Sequence, residues 1–263
     1  MNLRISDFPV WGIIYFTALT ALIGLVMGSF LNAWAWRVAH GERISRGRSH
    51  CTSCGHVLGA ADLVPLFSWL FLKGRCRYCG ARISARYPAA ELICMLLYLS
   101  IVFRYGFCMD ALRFLILGSL LFAASLTDME IMELPDIMTA LMAMSSLLRL
   151  FNGLSEMKSM LIGLAAVSVP LLIVVLIMEA ILKRTAMGGG DIKLIAVMGL
   201  HFGAPKTLFL LIVSCIIGLI SAKLIKRSDG KEFPFGPSIA IAAWVTMMIG
   251  DAAVQAYLRL FMI

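Results

Sequence analysis

Long apolar runs decide what this chain can become. Cut at charges and at Gly, Pro and Asn clusters, the sequence falls into eight of them, at 10–36, 88–103, 111–127, 134–151, 160–182, 192–203, 207–222 and 235–258. About 20 residues of helix cross a hydrocarbon core, so most of these runs read as membrane crossings. A mean hydropathy of +0.92, with 61% hydrophobic and 14% charged residues, excludes an ordinary soluble domain. The expected fold is an all-α polytopic membrane protein, an about eight-span helical bundle with one small module. The organisation reads as a first span in 1–36, a module in 37–87 and a membrane bundle in 88–263. The run 192–203 is too short to cross at roughly 1.5 Å per residue, and 111–127 is marginal. The first run is too long for a cleaved signal segment and reads as a retained anchor.

Charge gives the direction of the chain. Between Arg37 and Arg86 lie nine Lys/Arg against Glu42 and Asp62, so this segment carries +7 of the net +8. A basic loop between apolar spans marks the cytoplasmic side, and alternation then puts 128–133, 183–191 and 223–234 on the same side. Those segments include Lys183, Arg184, Lys223, Lys226, Arg227 and Lys231. A basic stripe could also bind nucleic acid, but the topological reading explains it, and no nucleic-acid partner is expected. The lipid bilayer is the expected surroundings, with anionic lipid beside the basic module.

Cys51-Thr-Ser-Cys54 and Cys76-Arg-Tyr-Cys79 form two C-x-x-C knuckles separated by 21 residues, followed by Gly55 and Gly80. Four thiolates paired in this way suit tetrahedral zinc, and a segment with few apolar clusters needs such a staple to fold. Two disulfides or a redox pair are the alternatives, which a reducing cytoplasm disfavours. Between the knuckles runs the apolar stretch 62–72, which suits either the membrane interface, through Trp69 and its Phe and Leu neighbours, or the core of the module.

Carboxylates near membrane depth are costly and point to function. Asp128 and Asp191 each sit at the expected cytoplasmic end of a short run, Asp191 directly after Gly188-Gly189-Gly190. Asp136 follows Pro135 at the expected entry of the next helix, where it would serve as an N-cap, and Asp251 has no evident role. Two carboxylates sharing a partly dry site cannot both ionise easily, so one holds a proton while the other activates water. That is equipment for hydrolysing a peptide bond. It requires the third and sixth spans to lie side by side. The competing reading is a non-enzymatic zinc-stapled membrane scaffold, or a transporter whose carboxylates line an ion path.

Taken in order, Gly28-Ser-Phe-Leu-Asn32 with Arg37, the four-cysteine module with Pro65-Leu-Phe-Ser-Trp-Leu70, Arg86-Tyr-Pro-Ala-Ala-Glu91, Asp128 with Leu134-Pro-Asp136, Gly188-Gly-Gly-Asp191-Ile-Lys-Leu194 and Pro234-Phe-Gly-Pro237 resemble the type IV prepilin peptidases, membrane aspartyl proteases of the G-x-G-D class. The resemblance implies that Asp128 and Asp191 are the catalytic pair, supported by Gly188, Gly190, Lys193 and Glu91, and that Cys51, Cys54, Cys76 and Cys79 hold zinc. It implies a bacterial cytoplasmic membrane protein that removes short basic leaders from prepilins or pseudopilins on the cytoplasmic side. Many members also methylate the new N-terminus with S-adenosylmethionine. No Gly-rich βαβ unit is present, so a donor site here would be built from loops and the zinc module. Glu91 could belong to that site, to the leader site, or simply partner Arg86.

Overall fold

The computed structural model describes residues 8–42, 49–183, 187–224 and 234–261. Arg43, Arg46, Arg48, Arg184, Lys226, Arg227 and Lys231, all part of the charge argument, lie outside the described residues. Nearly everything described outside the cysteine module is helix: α1 Val10–Ala39, α2 Phe67–Phe71, α3 Arg86–Tyr105, α4 Met109–Ile131, α5 Asp136–Ser146, α6 Glu156–Leu182, α7 Gly189–Phe202, α8 Ala204–Leu224 and α9 Gly236–Phe261. Apart from the five-residue α2, one helix falls on each of the eight apolar runs. Six of them, α1, α3, α4, α6, α8 and α9, are long and apolar enough to cross a membrane. The expectation of eight crossings is therefore supported only for six. α5 has 11 residues and α7 has 14, both short of the roughly 20 that a bilayer core demands. Outward side chains on the long helices, such as Ile173 and Leu176 on α6 and Leu219 on α8, are apolar, as lipid requires.

The chain forms two compact units, Met1–Cys108 and Met109–Ile263. In the first, α1 and α3 run antiparallel: Phe16 meets Phe107, with ring centroids 5.0 Å apart, at one end, and Gly28 meets Glu91 at the other. Gly24 and Gly28, spaced as G-x-x-x-G, are what allow this. A Cβ at either position would stand 2.7 Å from an α3 Cα, that of Met95 or of Glu91, so only small residues permit the crossing.

In the second unit α4 packs on α5 and α9, α7 on α5, α6 and α8, and α8 on α9. α6 and α7 cross at Gly163 and Gly199, each of which faces the other's carbonyl with no room for a side chain. The far end of α7 is pinned by two arginines. Arg113 on α4 donates to the His201 carbonyl at 2.7 Å, and Arg149 donates to the Leu200 carbonyl at 3.2 Å. These satisfy acceptors that a helix C-terminus leaves open, and they do so where a bilayer would offer no donor. Asp251, unexplained by the sequence, pairs with Lys206 at 2.6 Å and so ties α9 to α8.

Candidate active site and metal centre

The two aspartates come from opposite directions. Asp128 lies in the last turn of α4 and is only 6% exposed. Its Oδ2 accepts the backbone N–H of Gly236 at 2.8 Å. Gly236 is the first residue of α9, so its amide is one of the free donors at a helix start, and the helix dipole favours an anion there. Asp191 sits in the first turn of α7 and feels the charge of Asp128. α4 and α7 meet through side chains at both levels, since at the other end Phe114 and Phe202 stack with centroids 5.7 Å apart. The sequence requirement that these two segments be neighbours is met, with α5 and α9 packed alongside.

Three glycines precede Asp191, and the structure distinguishes among them. A Cβ on Gly188 would stand 3.2 Å from Asp191 Oδ2, and one on Gly190 would stand 3.0 Å from the Leu134 Cβ, whereas a Cβ on Gly189 would meet nothing within 4 Å. The spacing of the G-x-G-D signature follows: the first glycine clears the carboxylate, the second lets the loop after α4 close on α7, and the residue between is unconstrained. That closure is reinforced by Lys193, whose Nζ lies 2.8 Å from Asp136 Oδ1. Asp136 is thus the first residue of α5 with Pro135 in the cap position and no side-chain cap. The expected N-cap role is corrected, because the carboxylate is turned toward Lys193 instead.

Gly236 is the residue that sequence reasoning left without a task. A Cβ there would stand 2.7 Å from Asp128 Oδ2 and 3.2 Å from its Cγ. The signal was in Pro234-Phe-Gly-Pro237: a glycine between two prolines at the mouth of an apolar run marks a place where backbone must come close to something. What it approaches is 108 residues away in sequence and carries no local mark.

The cysteine module is built from two matching turns. Cys51 N–H donates to the His56 carbonyl and Gly55 N–H to the Cys51 carbonyl; Cys76 N–H donates to the Ala81 carbonyl and Gly80 N–H to the Cys76 carbonyl. Gly55 and Gly80 both adopt positive φ, 70° and 72°, which is why glycine follows each knuckle. All four cysteines are free thiols, and their Sγ atoms lie within 4.8 Å of one another. Zinc–sulfur bonds of about 2.3 Å in a tetrahedron set sulfurs about 3.8 Å apart, and Cys51 and Cys79 are already at 3.9 Å. The donor set fits zinc. Backbone N–H groups of Cys54 and Ser53 hold the Cys51 thiol below its ordinary range, while burial and the neighbouring thiols push Cys79 up, so the four crowded sulfurs do not ionise alike. Asp62 braces the second turn, accepting from Arg77 Nε at 2.7 Å, Tyr78 Oη at 3.1 Å and Gly59 N–H at 3.1 Å.

The apolar stretch between the knuckles divides its residues. Trp69 packs on Gly74 and donates its ring N–H to the Ile83 carbonyl at 3.2 Å, which makes it part of the module's core. Phe67, Leu70 and Phe71 point outward, Phe71 being 83% exposed. The reading of this stretch as module core therefore holds for Trp69, and the outward Phe67, Leu70 and Phe71 leave the interface reading a proposal. Glu91, in the first turns of α3, is buried and accepts the Leu66 N–H at 2.6 Å.

Comparison with known proteins agrees with this layout. Residues 22–105 match the Bacterial Peptidase A24 N-terminal domain, and residues 115–222 match the Type IV leader peptidase family. Relatives named prepilin leader peptidase/N-methyltransferase include one from Dichelobacter nodosus, 35% identical over 87% of this chain and 90% of its own. Another, from Bacillus subtilis (strain 168), is 31% identical over 91% of this chain and 96% of its own, and one from Pseudomonas putida is 32% identical over 90% and 92%. No solved structure matches. Two matched regions that fall one in each compact unit, and relatives matched along most of their length, establish that the chain belongs to the type IV leader peptidase family.

Proposed function

We propose that this protein is an aspartyl endopeptidase that removes short basic leaders from prepilins or pseudopilins at the cytoplasmic face of the bacterial cytoplasmic membrane, with Asp128 and Asp191 as its catalytic pair. The observation that carries the reading is the cleared space around those two carboxylates, where a Cβ on Gly236 would stand 2.7 Å from Asp128 Oδ2 and one on Gly188 3.2 Å from Asp191 Oδ2. Sharing the site, the pair holds one proton between two groups. The ionised member takes a proton from water, the water oxygen attacks the scissile carbonyl, and the protonated member gives its proton to the leaving amine. Lys193 and Asp136 fix the loop after α4 against α7 and so fix the separation of the pair. The basic segment 37–87, placed inside by its charge, is the zinc module, and the zinc it holds is structural.

Family membership displaces the scaffold and transporter readings, which predict no peptide product. The test is cleavage of a prepilin-like substrate by the purified protein and by Asp128→Asn and Asp191→Asn, each shown by its melting temperature to be folded. Each variant is expected to lose cleavage. Full activity of either one would overturn the assignment.

A second activity has its own support. The relatives' names include N-methyltransferase, and we extend this to methylation of the new N-terminal amine with S-adenosylmethionine as donor. The donor supplies an electrophilic methyl group on a sulfonium, so the protein's part is to hold a cationic nucleoside next to an amine.

A further inference from the structure

Within the first compact unit lies a cavity of about 450 Å³, whose walls include Trp36, Arg37, Asp62, Trp69, Tyr87 and Glu91. This volume is in the range of small-molecule sites. Three acids line it, Glu42, Asp62 and Glu91, and the last two are in different states. Asp62 is fully engaged by Arg77, Tyr78 and the Gly59 amide. Glu91 is 8% exposed and is hydrogen-bonded by the Leu66 N–H and the Ser29 side chain, and none of the ion pairs among the described residues includes it. A carboxylate withdrawn from water without a counter-charge is costly, and the backbone works to put it there. Gly28 admits the Glu91 Cα to close contact, and Leu66 adopts a positive φ of 62° in the same turn whose N–H meets the carboxylate. Strained backbone held around a buried carboxyl group is a mark of a binding site.

The rest of the wall says what kind of cation belongs there. Trp36 stacks one face on His40, with centroids 4.2 Å apart, and Trp69 is fixed by its bond to Ile83. Both rings are thus held rigid at the cavity, and an indole face suits either a nucleobase or a cation. A ligand that fills this volume, carries an aromatic base and places positive charge at a buried carboxylate has the chemistry of the methyl donor. The geometry points to this cavity as the S-adenosylmethionine site, with Glu91 facing the positive end of the donor. This rests on the methyl-transfer reading above.

The test is calorimetric binding to the full-length protein in nanodiscs, using S-adenosylmethionine and S-adenosylhomocysteine, which lacks the sulfonium charge. Glu91→Gln preserves shape and the acceptor for Leu66, and is expected to weaken S-adenosylmethionine about tenfold or more, the scale of one charge-assisted contact, and S-adenosylhomocysteine clearly less. Trp36→Leu is expected to weaken both. Unchanged zinc content and melting temperature show that each variant is folded, and if Glu91→Gln fails that check the Trp36 variant carries the test. Wild type binding both ligands, with folded variants binding them equally well, would overturn the location alone. Weakened binding of a peptide bearing a free N-terminal amine, with donor binding intact, would overturn it in favour of an acceptor site. Wild type binding neither ligand would overturn the methyl-transfer reading itself.

Discussion

Gly236→Ala adds one methyl group and leaves the backbone amide in place, yet it should cripple the peptidase. The new Cβ would stand 2.7 Å from Asp128 Oδ2 and 3.2 Å from Cγ, where ordinary contact begins at 3.4 Å. The carboxylate must therefore retreat by about 0.7 Å, and a displacement on the order of 1 Å at a reacting group costs up to about a hundredfold in rate. The expected loss in kcat/KM is roughly 10- to 100-fold, or about 1.4–2.7 kcal/mol of transition-state stabilisation.

Stability should respond differently. What the methyl group meets is the end of one side chain that can rotate, not backbone, so the melting temperature is expected to stay within a few degrees of wild type. Gly189→Ala is the matched control, because a Cβ there meets nothing within 4 Å, and its cleavage rate is expected to stay within about twofold of wild type, as for a surface change. The assay is steady-state cleavage of a prepilin-like substrate in nanodiscs, followed by mass spectrometry of the product, with thermal unfolding run in parallel. Gly236→Ala retaining activity within threefold of wild type would refute the reasoning, because Asp128 would then not need the position that Gly236 leaves open.

Other outcomes follow from the same geometry. The Lys193–Asp136 pair is exposed and worth about 0–1 kcal/mol, so Lys193→Met should lower cleavage only severalfold, and the charge-reversed double variant Lys193→Asp/Asp136→Lys should recover part of the loss; no recovery would show that the lysine acts on something other than Asp136. Gly199→Ala drives a methyl group into the Gly163 carbonyl, where backbone meets backbone and cannot yield cheaply, so thermal unfolding should shift down by the several degrees that correspond to about 1–3 kcal/mol of overpacking. Metal analysis should find one zinc per chain, and Cys54→Ser or removal by a strong chelator should open the segment 49–85 to limited proteolysis while leaving far-UV helix signal largely intact. A metal-free wild type with that segment still protected would overturn the staple.

The helices were legible because apolar periodicity and length carry them, and every expected run became a helix. How many of them cross was less legible. The run 134–151 counts 18 residues of mixed apolar character, but α5 ends at Ser146 and tightens into a 3-10 turn at Leu147–Asn152, where Ser145 and Ser146 bond back to the Met142 and Ala143 carbonyls and Arg149 reaches across to the Leu200 carbonyl. The four-cysteine cluster was legible almost completely, because both members of each knuckle and its glycine are neighbours in sequence. At the proposed catalytic site the carboxylates could be named but their partners could not. Gly236 and Leu134 act across long separations on Asp128 and Gly190, and no pattern in one chain records which glycine faces which side chain. The cavity beside Glu91 was less legible still, since it depends on how closely α1 approaches α3.

The shortness of α7 explains how the two aspartates come level. From Asp191 to His201 the helix rises roughly 15 Å, while from Arg113 to Asp128 α4 rises roughly 22 Å. Two antiparallel helices of unequal rise, carrying Asp128 and Asp191 at one end, would leave a gap of about 7 Å at the other. The Arg113 side chain is long enough to cross such a gap, and it does so, reaching the His201 carbonyl at 2.7 Å while Asp110 steadies its other nitrogen at 2.9 Å. A shorter side chain at position 113 would leave the α7 carbonyls unsatisfied or draw the helix toward α4. In the second case Asp191 would slide along Asp128, and Gly188 and Gly190 would no longer lie opposite the groups that require them to be glycine. Arg113 thus ties α7 to α4 at the end opposite the proposed catalytic pair.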